Sequence, residues 1–105
     1  MKYLVLLSSI FLVSCQSTPT FCTNTPESSL CDQKTYKYET DQALKEFETM
    51  KTKKAFAIAQ TDDGWEFYGY SEGYSSQRKA QESAISACQT RVDKMDKKAK
   101  CELIR

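Results

Sequence analysis

Histidine is absent from the 105 residues, glycine appears three times, proline twice and tryptophan once. Without an imidazole the chain has no Ser-His-Asp or Cys-His nucleophilic unit, and no side chain whose ordinary pKa lies near neutrality. The commonest routes of covalent and acid-base catalysis are therefore closed. Few glycines leave no phosphate cradle: Gly69 and Gly73 precede a helical segment, but this spacing lacks the further Gly and the Lys of a phosphate-binding loop. A bend or bulge is the expected role of these two residues. Charge of one sign is also missing, with 15 Lys plus Arg against 14 Asp plus Glu. A nearly neutral chain offers little to a phosphate backbone, and no nucleic-acid partner is expected. Finally, no apolar run reaches the roughly 20 residues that a membrane-spanning helix needs.

What is present begins with "MKYLVLLSSIFLVSC". It has one basic residue (Lys2), an apolar stretch from Tyr3 to Val13, and a small residue, Ser14, where a cleavage site would fall. This is the pattern of an export signal over residues 1–14. The four residues Leu12-Val13-Ser14-Cys15 resemble the lipobox of bacterial lipoproteins. That resemblance implies that Cys15 receives a diacylglycerol, that the signal is cut before it, and that the new amino terminus is acylated, an anchor of several chains that holds firmly. Gln16 follows the cysteine instead of the Asp that resembles an inner-membrane retention signal, so the expected location is the periplasmic face of the outer membrane. Cysteine parity fits. Five Cys leave an odd thiol in an exported protein, whereas removing Cys15 leaves Cys22, Cys31, Cys88 and Cys101, which can pair completely.

The stretch "CQSTPTFCTNTPESSLCDQKT" is rich in Ser, Thr and Pro and poor in large apolar groups, and reads as a mobile tether over residues 15–38. The remainder, 39–105, is one small domain of a size at which disulfides commonly supplement the core. Its elements follow from periodicity. Ala43, Leu44, Phe47 and Met50 fall on one helical face, predicting a helix over about 41–51 with Thr40 as N-cap. "KAFAIAQ" alternates Ala55, Ala57 and Ala59 with Phe56 and Ile58, and "WEFYGYS" alternates Trp65, Phe67 and Gly69 with Glu66, Tyr68 and Tyr70. Asp63-Gly64 between them is the signal of a tight type I′ hairpin. Ser75 or Ser76 can cap a helix running to about Met95, with Ala80, Ala84, Ile85, Cys88 and Val92 as a narrow apolar stripe. "CELI" supplies a last short strand. The expected fold is α+β, an N-terminal helix followed by β-β-α-β, with a short antiparallel sheet packed on a helix.

Cys88 lies on the buried stripe of the second helix and Cys101 opens the returning strand, so a bridge between them would tie helix to sheet. Cys22 and Cys31 would then pair near the tether. A metal site is the competing use of four Cys, but the spacing contains no C-x-x-C and there is no His, so no metal and no other cofactor is expected.

The run from Ala55 to Leu103 resembles a class of small secreted bacterial domains of unknown function. Their pattern is an A-I-A strand, a turn with Gly, a YG-x-S strand, an Ala-rich helix ending in Cys and a second Cys before a last strand. The matching positions are Ala57, Ile58, Ala59, Gly64, Tyr68, Gly69, Ser71, Ala80, Ala84, Cys88 and Cys101. The resemblance implies a fold and carries no catalytic residues.

Function is then expected from binding. The candidate surface is Phe56, Tyr68, Tyr70 and Tyr74, with Trp65 and Phe67 on the opposite face toward the helix. Phe56, Tyr68 and Tyr70 become a second half of the core if the first helix or the tether covers their face, and otherwise form a Tyr-bearing patch for a protein or glycan. The lysines at 51, 53, 54, 94, 97, 98 and 100 read as solvated faces, with acidic envelope polymers as the alternative contact. The functional expectation is a non-enzymatic binding or accessory lipoprotein of the envelope with a periplasmic protein partner. A sharper form is an inhibitor or immunity-type protein against a periplasm-acting enzyme. An enzymatic alternative would use Asp62, Asp63, Glu66 or Glu72 as a glycosidase-like pair.

Overall fold

A computed structural model describes residues 19–105. The expected signal sequence and Cys15 lie outside the described residues. The element order is α1 (Phe21–Asn24), two single 3-10 turns (Ser29–Cys31 and Gln33–Thr35), α2 (Tyr38–Phe47), β1 (Ala55–Gln60), β2 (Glu66–Ser71), α3 (Gln77–Lys94) and β3 (Glu102–Leu103). The strands form one antiparallel sheet in the order β2-β1-β3. Both expected disulfides are present, Cys22 to Cys31 and Cys88 to Cys101.

Strand alternation sorts the core into two layers, as the sequence pattern implies. Ala55, Ala57, Ala59 and Phe67 face α3, which brings Ala80, Ala84, Cys88 and Val92 against them. Phe56 and Ile58 face the other way and meet Leu44 and Phe47 of α2 and Ile104. The first layer is built from small residues, so helix and sheet approach closely. Gly69 makes the approach possible: a Cβ placed there would lie 2.3 Å from the Cys88 nitrogen and 2.6 Å from the Ala84 carbonyl oxygen. Those are backbone atoms that cannot step aside. Gly69 is thus neither bend nor bulge, since its pairing register with Ala57 is unbroken. Ser71 adds a bond across the layer, its hydroxyl donating to the Ala80 carbonyl at 2.6 Å.

α3 begins where expected, with the Ser76 hydroxyl accepting from the Lys79 N–H at 3.2 Å. It stops because Asp96 takes a left-handed conformation (φ 56°), which lets the Lys97 N–H reach the Val92 carbonyl at 3.2 Å.

Three further expectations need correction. The segment read as a mobile tether is folded from Thr20 onward. Its Ser, Thr and Asp residues cap successive short turns: Thr20 accepts from the Thr23 N–H, Ser28 from the Leu30 N–H and Asp32 from the Lys34 N–H. Between the caps, Cys22, Leu30 and Tyr36 pack on the Phe56–Ile58 layer. The Tyr36 hydroxyl donates to the Leu30 carbonyl, and burial pushes its pKa above the usual phenol value. The folded unit therefore begins well before residue 39.

α2 starts three residues earlier than expected. Thr40 is a buried core residue, not the N-cap; Lys37 holds that position without a side-chain cap, and its N–H is satisfied at 2.7 Å by Glu66 of β2. The hairpin is also wider than a two-residue turn. Only Gly64 has positive φ (95°), and Thr61 pairs with Trp65 around Asp62-Asp63-Gly64, the three-residue loop in which a left-handed Gly closes a turn.

Substituting Gly69→Ala should destabilise the fold by about 3 kcal/mol, because the added methyl must push helix and strand apart. Denaturant unfolding of the oxidised protein measures this, and a loss within experimental error would contradict the close-contact account. Removing the Cys88–Cys101 bridge as a double alanine variant should cost a similar amount, about 3 kcal/mol by loop-closure entropy.

Candidate functional site

Of the four residues expected to form a binding surface, the structure keeps two together. Phe56 is fully buried and belongs to the core. It is covered because α2 lies over it, with the Phe47 ring edge-on at 5.4 Å. Tyr74 is exposed, but its hydroxyl pairs with Ser83 of α3 at 2.8 Å, away from the layer that holds Phe56. Tyr68 and Tyr70 remain, adjacent on the α2 side of β2. Their rings stack with each other at 6.3 Å and on Phe56 at 5.7 and 6.1 Å. Tyr68 is half-buried and Tyr70 is 38% exposed, so an aromatic ladder runs from the core to the surface.

The ladder forms one wall of a groove of about 690 Å³ between β2 and α2, whose other wall includes Tyr38, Glu39, Ala43 and Glu46. A second groove of about 370 Å³ is lined by Trp65, Glu66, Phe67, Arg91, Lys94 and Met95 together with Tyr68 and Glu39 of the first groove, so it wraps around the β2 edge from the α3 side. The edge strand therefore has an open channel along each flank.

Arg91 joins the two. It leaves α3 on one side of the sheet, yet its guanidinium lies 4.8 Å from the Tyr68 ring on the other, and Nη1 donates to the Tyr68 carbonyl at 3.1 Å. The side chain therefore reaches around the free edge of β2. Sequence reading missed Arg91: its position on the polar part of α3 says nothing about which strand is at the edge.

Trp65 lies on the α3 side with Phe67, which stacks on it at 6.0 Å, and it borders the groove that Arg91 and Lys94 line, but it precedes the strand and is 42% exposed, with the Lys97 ammonium 4.7 Å from its ring centre. Lys97 also pairs with Asp63 at 2.9 Å. The Thr61 hydroxyl donates to Asp63, and this bond, with Lys97, holds the Asp63 carboxyl below the usual carboxylate pKa.

The other acidic candidates are tied to backbone or neighbours. Glu66 accepts from the Lys37 N–H and from Gln60 Nε2, each at 2.7 Å, and Glu72 accepts from the Lys51 N–H at 3.0 Å. Asp62 is exposed in the turn. A depressed pKa suits Asp63 to holding Lys97, and is the opposite of what a general acid requires. Among the described residues no group of His, Cys, Asp or Glu is arranged to hold a metal ion.

No family model, curated protein or solved structure matches the chain.

The Asp63 and Asp41 pKa values are both depressed, Asp41 by bonds from Gln33 and Lys45. Both therefore favour the folded state above the unfolded carboxylate value of about 3.9, and this contribution disappears as pH falls through the lower folded values. An Asp63→Asn variant should have a lower unfolding midpoint than the parent near neutrality and a shallower decline below about pH 4, so that the two converge in acid. Thermal unfolding across pH checks this; curves that superimpose or stay parallel throughout would contradict it.

Proposed function

We propose that this chain is an outer-membrane lipoprotein, anchored through acylated Cys15, whose disulfide-braced α+β domain works in the bacterial periplasm by binding a protein partner and not by catalysis. The observation that carries the reading is the edge of β2, where the Tyr68–Tyr70 ladder emerges between two open grooves beside α2 and α3. Exposed tyrosines on a rigid element are a common basis of protein recognition. The missing imidazole and the structural engagement of Asp63, Glu66 and Glu72 support binding over hydrolysis. Complete pairing of the four cysteines beyond Cys15 supports an oxidising compartment. The C-terminal resemblance to small secreted domains of unknown function is compatible with this reading and assigns no chemistry.

The folded N-terminal segment changes the geometry of anchoring. With Cys15 acylated, residues 15–18 are the only chain between the lipid and the described domain, a reach of at most about 14 Å. The domain would be held close to the membrane, not on a long leash. Pro19 and Phe21 lie beside Lys100 and Leu103, at the β3 side of the sheet. β2 is the opposite edge, so the aromatic ladder would be on the side turned from the attachment point.

Palmitate labelling with envelope fractionation tests the anchor. The parent chain should incorporate label and sediment with the outer membrane, and Cys15→Ser should do neither. Label retained by Cys15→Ser, or absent from the parent, would overturn it. Affinity capture from envelope extract without reductant tests the binding reading: a stoichiometric protein recovered by the parent and lost with Tyr70→Ala supports it, and recovery of none contradicts it.

A further inference from the structure

The two disulfides differ in what surrounds them. Cys88 and Cys101 lie between α3 and the sheet, 0% and 3% exposed, whereas Cys22 and Cys31 are each only half-buried. A dissolved thiol reaches the second pair directly and the first only when the domain opens. The segment that the Cys22–Cys31 bridge closes is also lightly held. No residue from 19 to 36 is fully buried. Its backbone bonds end within itself, from the Thr25 N–H to Phe21, from Ser28 to Thr25, from Cys31 to Ser28 and from Tyr36 to Gln33. Toward the rest of the domain, Ser29 donates to Gln60 at 3.5 Å, the outer limit of a hydrogen bond, and Gln33 to Asp41 at 2.8 Å. The other contacts are apolar: Cys22, Leu30 and Tyr36 on the Phe56–Ile58 layer and Phe21 beside Leu103. Single turns of helix have almost no stability of their own.

We infer that the Cys22–Cys31 bridge is a redox latch: reduced by a dithiol, it releases the N-terminal segment while α2, α3 and the sheet stay folded. A thiolate of the reductant attacks one of the two sulfurs, the Cys22–Cys31 bond breaks, and the departing cysteine thiolate takes up a proton. The reductant's second thiol loses its proton and displaces the other cysteine from the mixed disulfide. Two electrons have then passed, the reductant ends as a disulfide and Cys22 and Cys31 end as thiols. With the loop open, the released segment regains the chain entropy that the bridge had removed. The body of the domain keeps its own hold. Leu44 and Phe47 of α2 are buried, the Lys37 N–H is bonded to Glu66, and Cys88–Cys101 stays oxidised beneath α3.

What the latch does in the envelope rests on the reading of Cys15 as the anchor. Closed, it leaves residues 15–18 between lipid and domain. Open, it leaves residues 15–37, a span of at most about 80 Å. The oxidised domain is thus held at the membrane and the reduced one ranges away from it. Release also bares the part of the Phe56–Ile58 layer that Cys22, Leu30 and Tyr36 cover, next to the tyrosine ladder.

The test uses the mature chain with Cys15→Ser, which leaves the four paired cysteines, and dithiothreitol as the reductant. Alkylation of freed thiols should label Cys22 and Cys31 about tenfold or more faster than Cys88 and Cys101, which wait on opening of the whole domain. Trypsin should then cut after Lys34, in the second 3-10 turn. The rate should rise about 10- to 100-fold over the oxidised chain, the range of the loop-closure effect, while the amides of β1 and α3 keep their protection. A Cys22→Ser, Cys31→Ser variant should be cut at the fast rate without reductant and show no further response to it.

Reduction of all four cysteines together, an unchanged rate at Lys34, or loss of protection in β1 and α3 along with the segment would overturn the inference. The change of reach has its own readout. In vesicles carrying the lipidated chain, energy transfer from Trp65, the single tryptophan, to dansyl-labelled lipid headgroups should fall on reduction. Constant transfer with fast cutting at Lys34 would overturn the anchored reach and leave the release standing, whereas constant transfer with slow cutting would overturn the latch itself.

Discussion

Gly69 has no side chain, and the backbone of α3 occupies the space one would fill. Much of the molecule's geometry follows from that contact. A helix seated flush on a strand needs small residues around the point of approach, and Ala55, Ala57, Ala59, Ala80 and Ala84 supply them. At that distance Cys88 stands within disulfide reach of Cys101, with Cα atoms 6.1 Å apart. The bridge in turn ties the start of the short β3 to the helix. Arg91, three residues beyond Cys88, is near enough to the sheet to fold around β2 and bond the Tyr68 carbonyl. A larger residue at position 69 would thus disturb the core, the bridge geometry and the edge together.

The second layer is built on a different principle. Where the α3 layer is small and close, the α2 layer is aromatic, with Phe47 edge-on to Phe56 and the stacked tyrosines continuing outward. Neither α2 nor the N-terminal turns cover the whole face alone. α2 meets Phe56 through Leu44 and Phe47, and Cys22, Leu30 and Tyr36 of the N-terminal segment pack on the same layer. Lys54, just before β1, ties the sheet to the end of α2, its ammonium donating to the Phe47 carbonyl at 2.7 Å while lying 4.7 Å from the Phe47 ring centre. Tyr70 is left at the margin of this cover, and that is why an apolar ladder reaches the surface.

The sequence was most legible where one local rule decides the outcome. Period-two alternation placed Phe56 and Ile58 opposite the alanines, the Ala-Cys-Val stripe located α3, and Ser76 marked its start. The α+β order and both disulfides followed. Legibility failed where a distant residue decides. Lys37 is an unremarkable helix start until Glu66, 29 residues later, accepts its N–H. The Ser, Thr and Asp residues between 20 and 35 have the composition of a linker, and only their side-chain caps together with the Cys22–Cys31 bridge turn them into folded turns. Trp65 fits the alternation of β2, but the three-residue loop takes it out of the strand. The candidate site was half legible: Tyr68 and Tyr70 could be named, but that β2 is an edge follows from β3 pairing with β1, which alternation does not encode.

The most direct measurement is amide hydrogen exchange in the free, oxidised chain, residue by residue along β2. The account predicts an alternation: Phe67 and Gly69, bonded to β1 beneath α3, exchange as slowly as Ala84 and Cys88, while Tyr68 and Tyr70 exchange orders of magnitude faster. Slow exchange at Tyr68 and Tyr70 equal to that of their neighbours would mean that the outer side of β2 is already occupied, and would contradict the account.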